Sequence, residues 1–264
     1  MNKIIMLLFI LTGTSLQAST DYECAISGMN YYPIQQEISL NPQILIQGYA
    51  MDQKTIRGFE ELPPYLETES GEKVMLELLA INEGQMSLTQ AIFKPVTSLK
   101  PNTDYYLNFQ RAKQNEKEDP TRYNSEKKER ERIIWSTTNT KDLKPMDSEL
   151  EITFDKTNVE WYGCGPEANA LFKINNTKGQ EIWYRTEFVD LETGKSSTYI
   201  LNTWKDKLYV GHGMCSGAFT YAKTGKYKVR FTPMNIDGKI SKTTKWFTYE
   251  SPFVGEENPW GFRI

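Results

Sequence analysis

Apolar side chains in this chain recur every second residue, in short runs cut by Pro, Gly and Asn, and almost nowhere at helical spacing. A period of two is the signature of strands with one buried and one wetter face, so the pattern commits the chain to antiparallel sheets. In the first half the runs are Glu37 to Tyr49, Lys73 to Ile81, Met86 to Phe93, Tyr105 to Gln110 and Arg132 to Thr138. Tyr105, Leu107 and Phe109 fall on one face, as do Ile133, Trp135 and Thr137. In the second half they are Leu150 to Phe154, Asn169 to Ile174, Glu181 to Asp190, Ser197 to Thr203, Leu208 to Val210, Tyr227 to Pro233 and Thr243 to Tyr249. Between the halves, Asn139 to Ser148 carries Lys141, Asp142, Lys144, Pro145 and Asp147 and reads as a polar linker. The expectation is an all-β protein of two sandwiches in tandem, over residues 19–140 and 149–250, with a tail from 251 to 264.

The first eighteen residues are of another kind. Lys3 precedes an unbroken apolar run, Ile4 to Leu11, and then the small and polar stretch Thr12 to Ala18. The run is too short to cross about 30 Å of hydrocarbon, and a small residue closes it, so residues 1–18 read as a secretory signal cleaved after Ala18. A lipid anchor at Cys24 does not fit, because Thr20, Asp21, Tyr22 and Glu23 precede it. Export places the mature chain in the periplasm, at the cell surface or outside the cell. Without Lys3 the chain has 30 basic and 34 acidic residues, a balance that favours neither nucleic acid nor an anionic membrane. No later segment is long and apolar enough to serve as a transmembrane span.

The segment Leu99-Lys100-Pro101-Asn102-Thr103-Asp104-Tyr105-Tyr106-Leu107 resembles the L-x-P-x-T-x-Y corner of bacterial immunoglobulin-like domains in envelope proteins, and Glu37-Ile38-Ser39-Leu40-Asn41-Pro42 resembles their opening strand. The resemblance covers about residues 34–139. It implies that the Tyr105 hydroxyl bonds back to the turn backbone. Thr224-Gly225-Lys226-Tyr227-Lys228-Val229-Arg230, followed by Asn235-Ile236-Asp237-Gly238-Lys239, is similar to the last hairpin of fibronectin-type sandwiches, which gives Tyr227 the equivalent corner. The pattern speaks for fold and is nearly silent on function. Cys215 lies before Tyr227, whereas antibody-type domains place a cysteine just after that tyrosine.

Three cysteines in an exported chain allow one bridge and three pairings. Cys164 with Cys215 is favoured because both lie in the same half, leaving Cys24 free or paired with another chain. His212 is the only histidine, which removes sites built on paired imidazoles. Gly213-Met214-Cys215-Ser216-Gly217 has the spacing of a nucleophile elbow but lacks the following helix and the later histidine. A thiol-dependent enzyme built on Cys215 and His212 is the remaining catalytic reading, set against a glycine-rich turn pinned by a disulfide. Gly163-Cys164-Gly165-Pro166-Glu167 reads as a turn between strands. No cofactor motif and no EF-hand spacing is present, and Asn175-Asn176-Thr177 is a formal glycosylation acceptor that reads as a turn.

Residues 111–132 hold eight basic and six acidic side chains. They form a charged excursion, either a short helix capped by Ser125 or two strands running outward as a ribbon. Aromatics crowd the second half. On the strand from Glu181, the residues Ile182, Tyr184, Thr186 and Phe188 share one face, which leaves Trp183 with Arg185 and Glu187 on a face expected to be exposed. Trp183, with Trp161 or Trp204, is therefore the candidate ligand platform. The functional expectation is a non-catalytic exported binding protein whose partner is a protein or a carbohydrate. A carbohydrate-binding module using exposed Trp and Tyr is the first alternative, and the thiol enzyme is the second.

Overall fold

The computed structural model describes residues 27–110, 117–118, 120–140, 150–175, 181–259 and 261. The expected signal segment, Cys24, most of the polar linker, Asn176 and Thr177 lie outside the described residues.

The chain is all-β apart from a 3-10 turn at Ala50–Asp52 and the short helix α1, Gln53–Gly58. In the first half, β1 (Gly28–Tyr32), β2 (Glu37–Ile38), β3 (Ile44–Tyr49), β4 (Tyr65–Thr68), β5 (Lys73–Glu83), β6 (Leu88–Pro95), β7 (Asp104–Gln110), β8 (Lys117–Glu118) and β11 (Ile134–Thr137) form one nine-stranded sheet. Its path runs β1-β3-β6-β5-β4-β7-β11-β2, with β8 added on β7. β5 serves both layers. Its start pairs with β4 and its longer remainder with β6, and a register shift at Leu78/Ala80 bends it, so the sheet folds back on itself.

The stretch expected as one strand from Glu37 to Tyr49 is two. β2 runs parallel to β11, whereas β3 is antiparallel to β1 and β6. Asn41 and Pro42 interrupt the run because proline offers no ladder donor. The charged excursion is a ribbon, not a helix: β9 (Thr121–Asn124) pairs with β10 (Glu129–Arg132). Asn124 Oδ1 accepts the N–H groups of Glu126 and Lys127, and Lys128 takes a left-handed φ of 56°, so the chain reverses at Ser125 instead of winding on. Arg122 ties the ribbon to the first strand by donating to the carbonyls of Tyr31, Pro33 and Ile34.

The second half stacks two antiparallel sheets. One contains β12 (Glu151–Tyr162), β13 (Gly165–Asn175) and β16 (Lys207–His212), in the order β12-β13-β16. The other contains β14 (Ile182–Asp190), β15 (Ser196–Leu201), β17 (Lys226–Asn235) and β18 (Phe247–Glu250), in the order β15-β14-β17-β18. Between them lies an aromatic core in which Phe172 meets Phe231 edge-on at 4.9 Å and Phe188 stacks on Phe219 at 4.7 Å. A register shift at Phe154/Lys156 leaves Asp155 to pair with Lys173 at 2.7 Å and Lys207 at 2.9 Å, which holds its carboxyl below the usual range.

The polar stretch after Thr138 marks a change of sheet, yet the halves do not behave as beads on a string. Trp183, Ile200, Met234 and Ile236 belong to the buried cluster of the first half. Around them, polar groups mate across the joint with backbone geometry. The buried Gln90 amide accepts the Ile200 N–H at 2.8 Å and donates to the Ile200 carbonyl at 3.1 Å, standing in for a missing strand beside β15. Glu181 accepts the N–H groups of Ile34 and Gln35 at 2.5 and 2.9 Å, while its own N–H reaches the Gln35 side chain. Met86 and Gly217 exchange backbone bonds at 3.1 and 2.8 Å. Joints of this kind fix relative position, because separating the halves would strand buried polar groups.

Candidate functional site

Where the halves meet, a cleft of about 310 Å³ opens between β3 and β15 on one side and β13 and β16 on the other. Its lip is set by the loop between β15 and β16. Lys205 and Asp206 both take left-handed φ values, 49° and 57°, and Trp204 and Lys207 bond each other in both directions, N to O at 2.9 and 3.1 Å. This is a two-residue hairpin turn of the primed kind, made without glycine. Each such residue costs about 1–2 kcal/mol in that region, and the turn carries Trp204 outward.

Trp204 is 58% exposed and its ring meets that of Tyr209 at 5.4 Å and 60°. The Lys205 ammonium rests 4.1 Å over the indole. Strand alternation explains the Tyr209 position: Leu208 and Val210 turn into the aromatic core, so Tyr209 takes the opposite face of β16. Opposite, β13 puts Ala168, Ala170 and Phe172 into the core. Its other face presents Glu167 and Asn169 to the cleft, the Asn169 amide donating to Glu167 Oε1 at 3.2 Å. Gly211 and Gly217 make the floor possible, since a Cβ on the first would sit 2.0 Å from the Ala168 carbonyl and on the second 2.1 Å from the His212 Cβ.

The first half closes the other wall. Gln47 accepts the Tyr199 hydroxyl at 3.2 Å, and Tyr32 lines the same wall beside Asn202. The Asn202 side-chain oxygen is buried without a hydrogen-bond partner among the described residues. Burial holds the Tyr199 hydroxyl well above its ordinary range. It raises Tyr32 likewise, with the nearby Glu181 charge adding to the effect. Both phenols therefore stay protonated. Desolvation, then the neighbouring Glu160 charge, pushes the Glu167 carboxyl up. His212, buried at the cleft floor, is pushed down by desolvation, and its Nδ1–H donates to the Gly213 carbonyl at 2.9 Å. The polar part of the lining is amide, hydroxyl, phenol and the His212 imidazole with one carboxyl, set among the apolar Leu88, Ile200, Leu201 and Ala218 and the Trp204 indole.

The three tryptophans expected to share a platform are scattered. Trp183 is fully buried: its end of β14 is covered by the first half, and its indole N–H donates to Glu181 at 2.8 Å. The expectation of an exposed Trp183 is thus overturned, although Arg185 on the same face is exposed as read. Trp161 is half-buried against Phe253 at 5.9 Å, packed on the edge of the second core. Only Trp204 of the three lines the cleft.

The proposed bridge is also corrected. Cys164 sits in the exposed turn between β12 and β13 as a free thiol, its sulfur 3.7 Å from that of Met214. Cys215 is disulfide-bonded, and Cys24, outside the described residues, is the remaining cysteine of the chain. Gly213 to Ser216 closes a tight turn through the Gly213 N–H and the Ser216 carbonyl at 2.9 Å. In its bridged state Cys215 carries no thiolate beside His212. The corner tyrosines make matching bonds: the Tyr105 hydroxyl accepts the Lys100 N–H at 2.9 Å and the Tyr227 hydroxyl accepts the Ala222 N–H at 2.8 Å, each from five residues upstream.

Tyr32, Gln47, Glu167, Asn169, Asn202 and Tyr209 were missed by sequence reasoning. The gap between the runs Ser197 to Thr203 and Leu208 to Val210 is the signal that could have located the turn presenting Trp204 and Tyr209. No local signal ties Gln47 to Tyr199. Among the described residues no cluster of three or more His, Cys, Asp or Glu could hold a metal ion, and no helix is long and apolar enough to cross a membrane.

No family model matches the sequence, and no curated protein does. Among solved structures, the chain is similar to a pullulanase from Anoxybacillus sp. LM18-11, at 9% identity over 84% of this chain and 25% of that one, with a TM-score of 0.25. It is similar to a cytokine receptor complex at 9% identity over 86% of this chain and 97% of that one, with a TM-score of 0.27. The chain spans about a quarter of the pullulanase. At these scores neither likeness carries an argument about fold, family or activity.

Proposed function

We propose that this is an exported, non-catalytic binding protein of the cell envelope that holds its partner in the cleft between two immunoglobulin-like sandwiches, the second of fibronectin type. The sandwich reading is supported by the three-plus-four sheets of the second half and by tyrosine corners of the same span in both halves. Export is supported by the apolar leader and by the bridged Cys215. The observation that carries the binding reading is Trp204. A large aromatic, 58% exposed beside two residues of left-handed φ, stands at the lip of a cleft whose walls come from both halves. An amphipathic ring so placed suits a partner's surface better than solvent.

The test is retention from a native envelope extract on immobilised mature protein, wild type against Trp204→Ala with Tyr209→Ala. Material held by the wild type, lost by the double variant and eluted chemically unaltered is the expected result. Equal retention by both refutes the cleft, and an altered mass after elution refutes the non-catalytic reading.

A further inference from the structure

We infer that the cleft takes a neutral oligosaccharide, one hexose ring stacking on Trp204 and its hydroxyls meeting the amide and phenol groups beneath; this rests on the binding reading above. The chemistry of the lining selects the class. Glu167 is the carboxyl in the lining, and the nearby cation, Lys205, sits on the rim over the indole. A phosphate, a sulfated glycan or a nucleic acid would meet Glu167, with Glu160 close behind it, and no clamp of arginines. A cationic peptide would find one carboxyl, Glu167, in the lining for its several ammonium groups.

Sugar hydroxyls both donate and accept, which is what this lining requires. The buried Asn202 oxygen, without a partner among the described residues, wants a donor, the neutral Tyr32 phenol does either, the Tyr199 hydroxyl, its proton given to Gln47, can accept, and the raised Glu167 carboxyl adds an acceptor. Above them the indole offers a flat apolar face to the C–H side of a pyranose. The ammonium now over that face makes an exposed cation–π contact, which is weak and displaced at little cost. The cleft volume of about 310 Å³ admits one or two sugar rings and leaves a longer chain to run out past the lip.

The experiment is calorimetric titration of the mature protein, with tryptophan fluorescence read in parallel. The probes are the tetrasaccharides of β-linked glucose, α-linked glucose, mannose and N-acetylglucosamine. A sulfated tetrasaccharide and tetralysine serve as charged controls. The expected result is saturable binding of at least one neutral probe and of neither control. Trp204→Ala should weaken that binding about tenfold or more, the scale of losing an aromatic anchor, while Trp246→Phe, at a ring outside the cleft lining and under Lys228 and Arg230, leaves it unchanged. Binding of a charged control alone, neutral binding that survives Trp204→Ala, or no neutral binding overturns the ligand class. If envelope material is still retained in a Trp204-dependent way when no neutral probe binds, the class fails and the binding reading stands. If nothing is retained, the binding reading itself fails.

Discussion

Replacing Trp183 by alanine tests whether the two halves are a single cooperative body. The side chain is fully buried at the joint, within the same cluster as Ile200 and Met234, and its N–H satisfies one oxygen of Glu181. Truncating a buried tryptophan costs about 3–5 kcal/mol, because the surroundings collapse only partly into the space left. Taking about 4 kcal/mol and a urea m value of about 2–3 kcal/mol/M, the midpoint should fall by about 1.3–2 M. Trp204→Ala is the control: an exposed side chain away from the core should cost less than about 0.5 kcal/mol and move the midpoint by less than about 0.3 M. Urea titrations followed by far-ultraviolet circular dichroism and by tryptophan fluorescence should coincide in one transition for the wild type. Two separated transitions in the wild type, or a Trp183→Ala midpoint no lower than that of Trp204→Ala, would refute a welded joint.

Three further outcomes follow from the geometry. Alkylation of the unreduced mature protein should label Cys164 and leave Cys215 unlabelled until reductant is added; a labelled Cys215 contradicts this. Tyr105→Phe and Tyr227→Phe should each cost about 1–2 kcal/mol in chemical denaturation by removing the acceptor for the Lys100 or Ala222 N–H, and a change below about 0.3 kcal/mol would show that the corners do not matter. His212 has a folded pKa depressed below its ordinary value of about 6.5, so its contribution to stability is full above that pH and is lost as pH falls through the folded value. Melting temperatures should therefore drop more for wild type than for His212→Gln on going from neutral to mildly acid pH, and parallel curves would contradict the assignment.

Much of the strand inventory was legible because burial in a sandwich is written in alternation. Tyr105, Leu107 and Phe109 are all fully buried on β7, and Ile133 and Trp135 are buried as their spacing implied. What escaped were features decided by distant partners. β1 carries Asn30 and Gly28 among its aromatics and becomes a strand only by pairing with β3. Trp183 shares its face with charged residues, so local pattern reads it as exposed, and only the arrival of the first half at one end of β14 buries it. The cysteine connectivity was open because spacing alone does not choose among three pairings. The cleft was half visible: Trp204 was one of the tryptophans named for a platform, whereas the Gln47 wall comes from residues about 150 positions upstream, with the Gln47–Tyr199 bond spanning 152 residues.

Trp204 is the proposed point of contact. Its most direct test is a nitrogen-proton correlation spectrum of the mature protein, in which six tryptophan indole signals are expected, assigned by single Trp→Phe variants and followed during titration with the neutral tetrasaccharides. The account predicts that the Trp204 signal moves while those of Trp183 and Trp161 stay in place. A Trp204 signal that never moves, or one left behind while Trp161 shifts, would contradict it.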